Sequence, residues 1–211
     1  MVADRVYLDR AEAAMQLLPL LHQYRGLDGV VVAIPRGGVP MGAIIARELG
    51  WPLDIALVKK IGHPENPEFA IGAVSSDDLF IDPEFRSIPG HYLEQRILEI
   101  RKSIQEKRLR YLGSVPPLPL LGRKVIVVDD GIATGHTLRM TLRLLRKQKP
   151  GELIVAVPVS STRAAGMLEK ECDTFLCLQR PDDFYGVGQY YANFQPVSDA
   201  EVVQLLRRYR K

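Results

Sequence analysis

Short runs of consecutive apolar residues alternate along the chain with longer segments in which apolar residues recur every three or four positions. The continuous runs predict strands that are buried on both faces, at 29–35, 53–60, 124–128, 152–157 and 174–178. The periodic segments predict helices at 9–24, 90–112, 136–147, 161–170 and 198–209. A further helix is predicted after the glycine turn at Gly37-Gly38, and it ends at Gly50. Strands that alternate with helices predict an α/β fold, with an open, mostly parallel twisted sheet and helices on both faces.

One long segment interrupts this alternation. Residues 61–88 are rich in proline, glycine and acidic side chains, and they predict an excursion with a small hairpin around Asp77 and Asp78. A length of 211 residues suits one domain. We therefore predict a single domain over 1–211, with its core at 25–178 and the excursion as an insertion.

Composition excludes several classes of protein. No apolar run approaches the roughly 18 residues that a membrane span needs. Charged residues stand where a secretory signal would have its apolar segment, and Cys172 and Cys177 are the only cysteines, so we predict a cytoplasmic protein with reduced thiols. A net charge of +3 permits an anionic ligand but does not indicate a nucleic-acid partner.

The candidate chemistry begins at residues 125–138, where a buried strand ends in two adjacent carboxylates, Asp129 and Asp130. Small and hydroxylated residues follow and lead directly into a helix: Gly131, Ala133, Thr134, Gly135 and Thr137. Backbone N–H groups at the start of a helix, with hydroxyls beside them, are suited to a phosphate. Carboxylates suit sugar hydroxyls or Mg²⁺. A ribose 5-phosphate that carries a second, metal-bound anion fits both halves.

This stretch contains neither a Walker loop nor a GxGxxG loop. It resembles the phosphoribosyl pyrophosphate (PRPP) motif of type I phosphoribosyltransferases, in which an apolar strand, two acidic residues and Thr-Gly-x-Thr follow one another. The resemblance implies that Asp129 and Asp130 bind the ribose hydroxyls, directly or through Mg²⁺. It also implies that a loop binds the 5-phosphate through Gly131, Ala133, Thr134, Gly135, His136 and Thr137. Hypoxanthine-guanine enzymes usually have an Asp at the position of Ala133, and adenine and uracil enzymes tend to have Ala, so the acceptor stays open.

Two further segments match the family. Arg36-Gly37-Gly38 ends the first sheet strand, in the place of the family's pyrophosphate loop, and a guanidinium suits phosphate oxygens. Lys59 or Lys60 stands where a basic residue commonly reaches the pyrophosphate, and the strand pleat turns them to opposite sides. The catalytic candidates are Arg36, Lys60 and Asp130, and the choice between the two lysines stays open.

Nearly the whole chain resembles a little-characterised branch of this family, which shares the segments GHPENPEFAIGAV and RPDDFYGVGQYYANF. The resemblance implies that residues 61–75 close over PRPP and that residues 179–195 form a hood over the acceptor. The hood is rich in aromatic residues, which either stack on a flat base or pack beneath the loop: Phe184, Tyr185, Tyr190 and Tyr191. His63 is either an acid–base residue or a surface histidine.

The expected function is that of a Mg²⁺-dependent glycosyltransferase of nucleotide metabolism. It would transfer ribose 5-phosphate from PRPP to an unidentified, nucleobase-like acceptor and release pyrophosphate. Two alternatives stay open: a non-catalytic regulator that senses PRPP or nucleotides, and a sugar-phosphate hydrolase. A helix-turn-helix segment is absent, and the interleaved charges of helix 90–112 predict a solvated face. The resemblance also implies a homodimer.

Overall fold

The structure is a computed structural model that describes residues 6–67, 69–85 and 88–210. The strands are β1 (Gly29–Ala33), β2 (Leu53–Ile55), β3 (Lys59–Gly62), β4 (Ala70–Val74), β5 (Leu79–Ile81), β6 (Lys124–Val128), β7 (Glu152–Val159) and β8 (Thr174–Gln179). The α-helices are α1 (Arg10–Leu21), α2 (Gly38–Leu49), α3 (Gly90–Leu112), α4 (His136–Lys147), α5 (Thr162–Leu168) and α6 (Asp199–Tyr209). The ends of the predicted domain, and Glu68, Arg86 and Ser87 of the predicted insertion, lie outside the described residues.

The main sheet has five strands in the order β2-β1-β6-β7-β8, and every neighbouring pair is parallel. β1 is buried along its whole length, as its continuous apolar run predicts. Its register with β6 pairs Val32 with Val127, so the two strands end side by side. The predicted parallel sheet is confirmed.

Helices cover both faces of this sheet. Val31 of β1 packs in one core together with α1, α2 and α6. Val30 and Val32 point the opposite way and pack in a second core together with α4 and α5. The alternation follows from the strand pleat, which sends successive side chains to opposite faces. The predicted α/β fold with helices on both faces is therefore confirmed.

The predicted excursion contains a second, antiparallel sheet of β3, β4 and β5. The predicted hairpin is the β4–β5 turn, in which the N–H of Ser75 donates to the carbonyl of Asp78 at 2.9 Å. Ile71 lies in one core with Ile104 of α3, and Ala73 lies in another with Leu144 of α4. β3 and β4, which contain residues 61–62 and 70–74 of the predicted closing loop 61–75, thus belong to a sheet that is packed on two helices.

The single strand predicted at 53–60 is wrong. β2 ends at Ile55, and β3 begins at Lys59 in the other sheet, where Lys59 pairs with Val74. The apolar run continues through the break because Leu57 and Val58 pack in the cores that the small sheet forms with α3 and α4. Continuous burial is therefore not the same as a continuous strand.

Helix ends follow local chemistry. The Asp9 carboxylate accepts the N–H of Glu12 at 2.9 Å and caps α1, which continues through Pro19 without a break. Gly50 ends α2 in the left-handed conformation, at φ 70°, as predicted from the sequence. No helix in the described ranges is both long and apolar enough to cross a membrane.

Candidate active site

The site lies where β1 and β6 end, at the carboxyl edge of the main sheet. Ile34, which follows β1, donates its N–H to the carbonyl of Val128 at 2.9 Å and so ties the two strand ends together. A Cβ atom on Gly37 would lie 1.9 Å from Oδ2 of Asp130. Only glycine therefore fits at this position while Asp130 keeps its place. The Arg36-Gly37-Gly38 turn and the acidic pair are in direct contact.

The surroundings of Asp129 disfavour its charged form. Burial raises its pKa well above the ordinary value, and the neighbouring Asp130 raises it further. Its Oδ1 accepts the N–H of Asp130 at 2.9 Å, which offsets only part of that effect. Donated hydrogen bonds or a cation from a ligand would stabilise the charged form.

Asp130 already has a cationic partner, Arg10 of α1. Nε and Nη2 of Arg10 each lie 2.8 Å from Oδ2 of Asp130. The guanidinium also lies over the ring of Phe194, 4.0 Å from its centroid. Tyr191 donates its hydroxyl to the backbone carbonyl of Asp130 at 2.6 Å. Asp130 is thus held from both ends of the chain.

The loop after the acidic pair is fixed by β7 and the start of α5. Ile132 donates its N–H to the carbonyl of Val159 at 2.9 Å, and the Ser161 hydroxyl donates to the carbonyl of Ala133 at 2.6 Å. Gly135, at φ 72°, precedes α4 in the left-handed conformation that favours glycine. Thr134, His136 and Thr137 are exposed.

These residues have the chemistry that an anion site requires. The first N–H groups of a helix have no partner within the helix, and they carry the positive end of its dipole. In α4 they belong to His136 and Thr137, and the exposed Thr134 stands beside them. The arrangement can bind a phosphate close to the two carboxylates, as the sequence predicts.

Arg36 directly precedes Gly37, the residue that contacts Asp130. Its peptide bond with Pro35 is cis. Its Nη1 lies 3.6 Å from Oδ1 of Asp199, the first residue of α6, and its side chain is half exposed. Asp199 also accepts the Tyr111 hydroxyl at 2.6 Å and Nη1 of Arg110 at 3.0 Å. The guanidinium of Arg36 is therefore accessible to a ligand while it is held near the sheet edge.

The family model of the phosphoribosyl transferase domain matches residues 8–195 of the chain. The chain belongs to this family. It is 34% identical over 209 residues to the provisionally named phosphoribosyl transferase Rv0571c of Mycobacterium tuberculosis strain H37Rv, with 97% of this chain and 47% of that protein covered. The same values hold for MT0597 of strain CDC 1551. The chain thus spans about half the length of the curated relatives that it matches.

A solved structure shares the whole architecture of this phosphoribosyl transferase domain. The crystal structure of TT1426 from Thermus thermophilus is 36% identical in sequence. The superposition covers 98% of this chain and 100% of the TT1426 chain, with a TM-score of 0.89. The main sheet and the small antiparallel sheet therefore belong to a fold that is known from experiment.

The two candidate lysines of the phosphoribosyl transferase domain take different places. Lys59 lines a cavity together with Pro35 and Thr137, and its ammonium donates to the Ser103 hydroxyl of α3. Lys60 is exposed on β3 and is not part of the lining of that cavity. The structure thus brings Lys59, rather than Lys60, together with the two loops.

The aromatic residues of the hood also divide. Tyr190 and Tyr191 are buried in the main core, and Phe184 packs against Tyr190 with ring centroids 5.3 Å apart. These contacts match the packing alternative for the hood. Tyr185 is 91% exposed and can contact a ligand. His63 lies between Phe69 and Phe85, with ring centroids 6.5 and 6.2 Å away, in a separate aromatic cluster.

Three residues of the site were missed from the sequence: Arg10, Phe194 and Lys107. Arg10 reads as an ordinary first residue of an amphipathic helix, and no local pattern links it to Asp130. Lys107 belongs to the charged helix whose polar side was predicted to be solvated, yet it lines the same cavity as Lys59. The only signal for Phe194 was the aromatic density of the hood.

The donor set suits a magnesium ion that is shared with a substrate. Within the described ranges, no group of three or more His, Cys, Asp or Glu side chains could hold a metal by itself. Mg²⁺ commonly binds through one or two carboxylates together with substrate phosphates and water. Among the described residues, Asp129 has no salt-bridge partner comparable to Arg10 on Asp130, and it fits that role.

Proposed function

We propose that this domain is a phosphoribosyltransferase that binds PRPP and transfers its ribose 5-phosphate to a small, nucleobase-like acceptor with release of pyrophosphate. The contact between the two loops is the observation that carries the proposal. Asp130 lies directly against Gly37, so a phosphate cradle, two carboxylates and a basic turn surround one point of the sheet edge. Family membership supports the same conclusion.

Each half of PRPP has a group of suitable chemistry. The N–H groups at the start of α4 and the hydroxyls of Thr134 and Thr137 would bind the 5-phosphate. Asp129 would accept hydrogen bonds from the ribose hydroxyls, and these would stabilise the charged carboxylate that burial disfavours. Arg36 and Lys59 would bind the pyrophosphate through charge-assisted hydrogen bonds.

Mg²⁺ would be held by Asp129, with Asp130 beside it, and when bound it would neutralise charge on the pyrophosphate. The residues of the chain supply the remaining stabilisation. As the bond between C1 of the ribose and the pyrophosphate oxygen breaks, its electron pair leaves with pyrophosphate. Arg36 and Lys59 stabilise that growing negative charge, and a lone pair of the acceptor forms the new bond to C1. The acceptor then loses a proton to the solvent.

The acceptor would enter beneath the hood. Val187 of the hood packs against Gly131. A Cβ atom added to Gly131 would lie 2.6 Å from Cγ1 of Val187. Of the four aromatic candidates, Tyr185 has the exposed ring that stacking on a base requires.

We propose further that the protein acts as a cytoplasmic homodimer in nucleotide metabolism. Sedimentation velocity at micromolar concentration tests the dimer.

The proposal is tested by calorimetric titration of the protein with PRPP in the presence of Mg²⁺, followed by assays of pyrophosphate release with a panel of purine and pyrimidine bases. Binding, with release that depends on one base, is the expected result. Binding without turnover would favour a PRPP-sensing regulator, and release without any base would favour a hydrolase. A folded protein that does not bind PRPP would contradict the proposal.

A further inference from the structure

A cavity of about 90 Å³ lies between the pyrophosphate turn and α3. Its polar or charged lining comes from Lys59, Lys107, Thr137 and Thr141. Pro35, the residue before Arg36, forms part of its wall. The cavity therefore opens beside the residues proposed to bind pyrophosphate, although α3 belongs to neither of the two loops.

Lys107 of α3 lies in a cluster of cations. In the described part of the chain it forms no salt bridge, and its ammonium lies 5.5 Å from the ring centroid of Tyr111. Burial lowers its pKa, and the cations Lys59, Arg36 and Arg110 lower it further against the opposing effect of Asp199. A half-buried ammonium among like charges needs an anion.

Asp199 does not supply that anion in full. Its two oxygens already accept the Tyr111 hydroxyl and Nη1 of Arg110, and Nη1 of Arg36 lies nearby. One carboxylate thus faces three cations, Arg110, Arg36 and Lys107. Two of the cations in this cluster, Lys59 and Lys107, line the cavity, so an anion bound there would contact both.

We propose that this cavity binds the pyrophosphate end of PRPP and that Lys107 contacts it, as a charge supplied by α3 of the same chain. The inference rests on the proposed function and adds a residue and an element to it. The size of the cavity favours a compact group. Pockets for drug-sized ligands usually measure roughly 300–1,000 Å³, whereas this one suits a phosphate-sized group better than a nucleoside.

The competing explanation is that Lys107 only covers the ring of Tyr111 with its apolar stem. A structural role of that kind would need the length of the side chain but not its charge. The two explanations differ in what they predict for Lys107→Met, which keeps the apolar stem and removes the charge. They also differ for Lys107→Arg, which keeps a cation.

The experiment is a pair of calorimetric titrations on the full chain, one with pyrophosphate and Mg²⁺ and one with ribose 5-phosphate. Lys107→Met is expected to weaken pyrophosphate binding at least tenfold and to leave the affinity for ribose 5-phosphate within twofold. Lys107→Arg is expected to retain most of the pyrophosphate affinity. Lys102→Met, at an exposed position of the same helix, is the matched control and should match the wild type.

The outcomes separate the inference from the proposed function. Equal pyrophosphate affinity in Lys107→Met and wild type would overturn the inference alone. Wild type that binds ribose 5-phosphate but not pyrophosphate would also overturn it. Wild type that binds neither compound, nor PRPP, would overturn the proposed function together with the inference. Unchanged binding of ribose 5-phosphate by Lys107→Met would show that the variant is folded.

Discussion

Arg10 and Asp130 form a buried ion pair in which two guanidinium nitrogens, Nε and Nη2, each lie 2.8 Å from the same carboxylate oxygen. Their side chains are only 12% and 13% exposed. The pair makes the two adjacent acidic residues unequal. Burial raises the pKa of both residues, but Arg10 opposes this effect at Asp130, whereas at Asp129 the neighbouring carboxylate raises the pKa further. Asp129 is therefore the residue left to bind a ligand.

Arg10→Met is expected to destabilise the protein by about 3 kcal/mol, because it leaves the buried charge of Asp130 without a partner. Urea unfolding measures the loss. Arg25→Met is the control, since the ion pair of Arg25 with Glu48 is exposed and such pairs contribute less than about 1 kcal/mol. Equal losses in the two variants would show that the Arg10–Asp130 pair does not stabilise the fold.

Asp129→Asn is expected to reduce PRPP affinity at least about tenfold, because a charged hydrogen-bond acceptor for the ribose is lost. Its free energy of unfolding at neutral pH should not fall, since the substitution removes a buried charge next to Asp130. Calorimetry and urea unfolding test the two parts. Asp77→Asn, in the exposed turn of the hairpin, should change neither quantity. A large loss of stability in Asp129→Asn would contradict this division of roles.

The raised pKa of Asp129 should make the free energy of unfolding depend on pH. The pKa of this carboxyl group is raised in the folded state, so the folded protein holds this proton more tightly than the unfolded chain does. The contribution of Asp129 is therefore favourable at low pH and is lost as pH rises from its unfolded value of 3.8 through its raised folded value.

Asp129→Asn lacks this titration. Its stability relative to wild type should consequently increase as pH rises above about 4 and then become constant above the folded pKa. Unfolding curves for both proteins between acid and neutral pH measure the difference. A difference that stays constant over the whole range would mean that the pKa of Asp129 is not raised.

Gly37→Ala should disrupt the junction of the two loops. Its Cβ would lie 1.9 Å from Oδ2 of Asp130, and Arg10 prevents that carboxylate from moving away. We expect PRPP affinity to fall at least tenfold, with a loss of stability of about 1–3 kcal/mol from overpacking. Gly90→Ala, where the added Cβ meets no atom within 4 Å, should leave binding unchanged. Equal binding in the two variants would contradict the proposed close contact.

Much of the fold was predictable because its signals are local. Helix α3 spans Gly90–Leu112, and β6 spans Lys124–Val128, as the apolar patterns predict. The break between β2 and β3 was not predictable. Leu57 and Val58 are apolar because they pack in the cores between the small sheet and the helices α3 and α4, and periodicity does not distinguish this from burial within one strand.

The site was predictable to the extent that it consists of short motifs. Arg36-Gly37-Gly38 and the stretch from Asp129 to Thr137 meet at one sheet edge because parallel strands end together. The roles assigned to these residues stay predictions. Arg10 and Lys107 could not be found in this way, since each reaches the site from a helix distant in sequence and carries no motif of its own.

The strand-like pairing between residues 7–8 and 190–193 has a consequence for how the protein is made. Tyr7 donates its N–H to the carbonyl of Tyr190 at 2.8 Å, and Ala192 donates its N–H to the carbonyl of Tyr7 at 2.8 Å. These partners are far apart in sequence, so they leave the ribosome at different times during translation. A nascent chain that stops before residue 190 lacks the Tyr191 contact to Asp130, so the acidic pair gains its final surroundings only after residue 191 has been made.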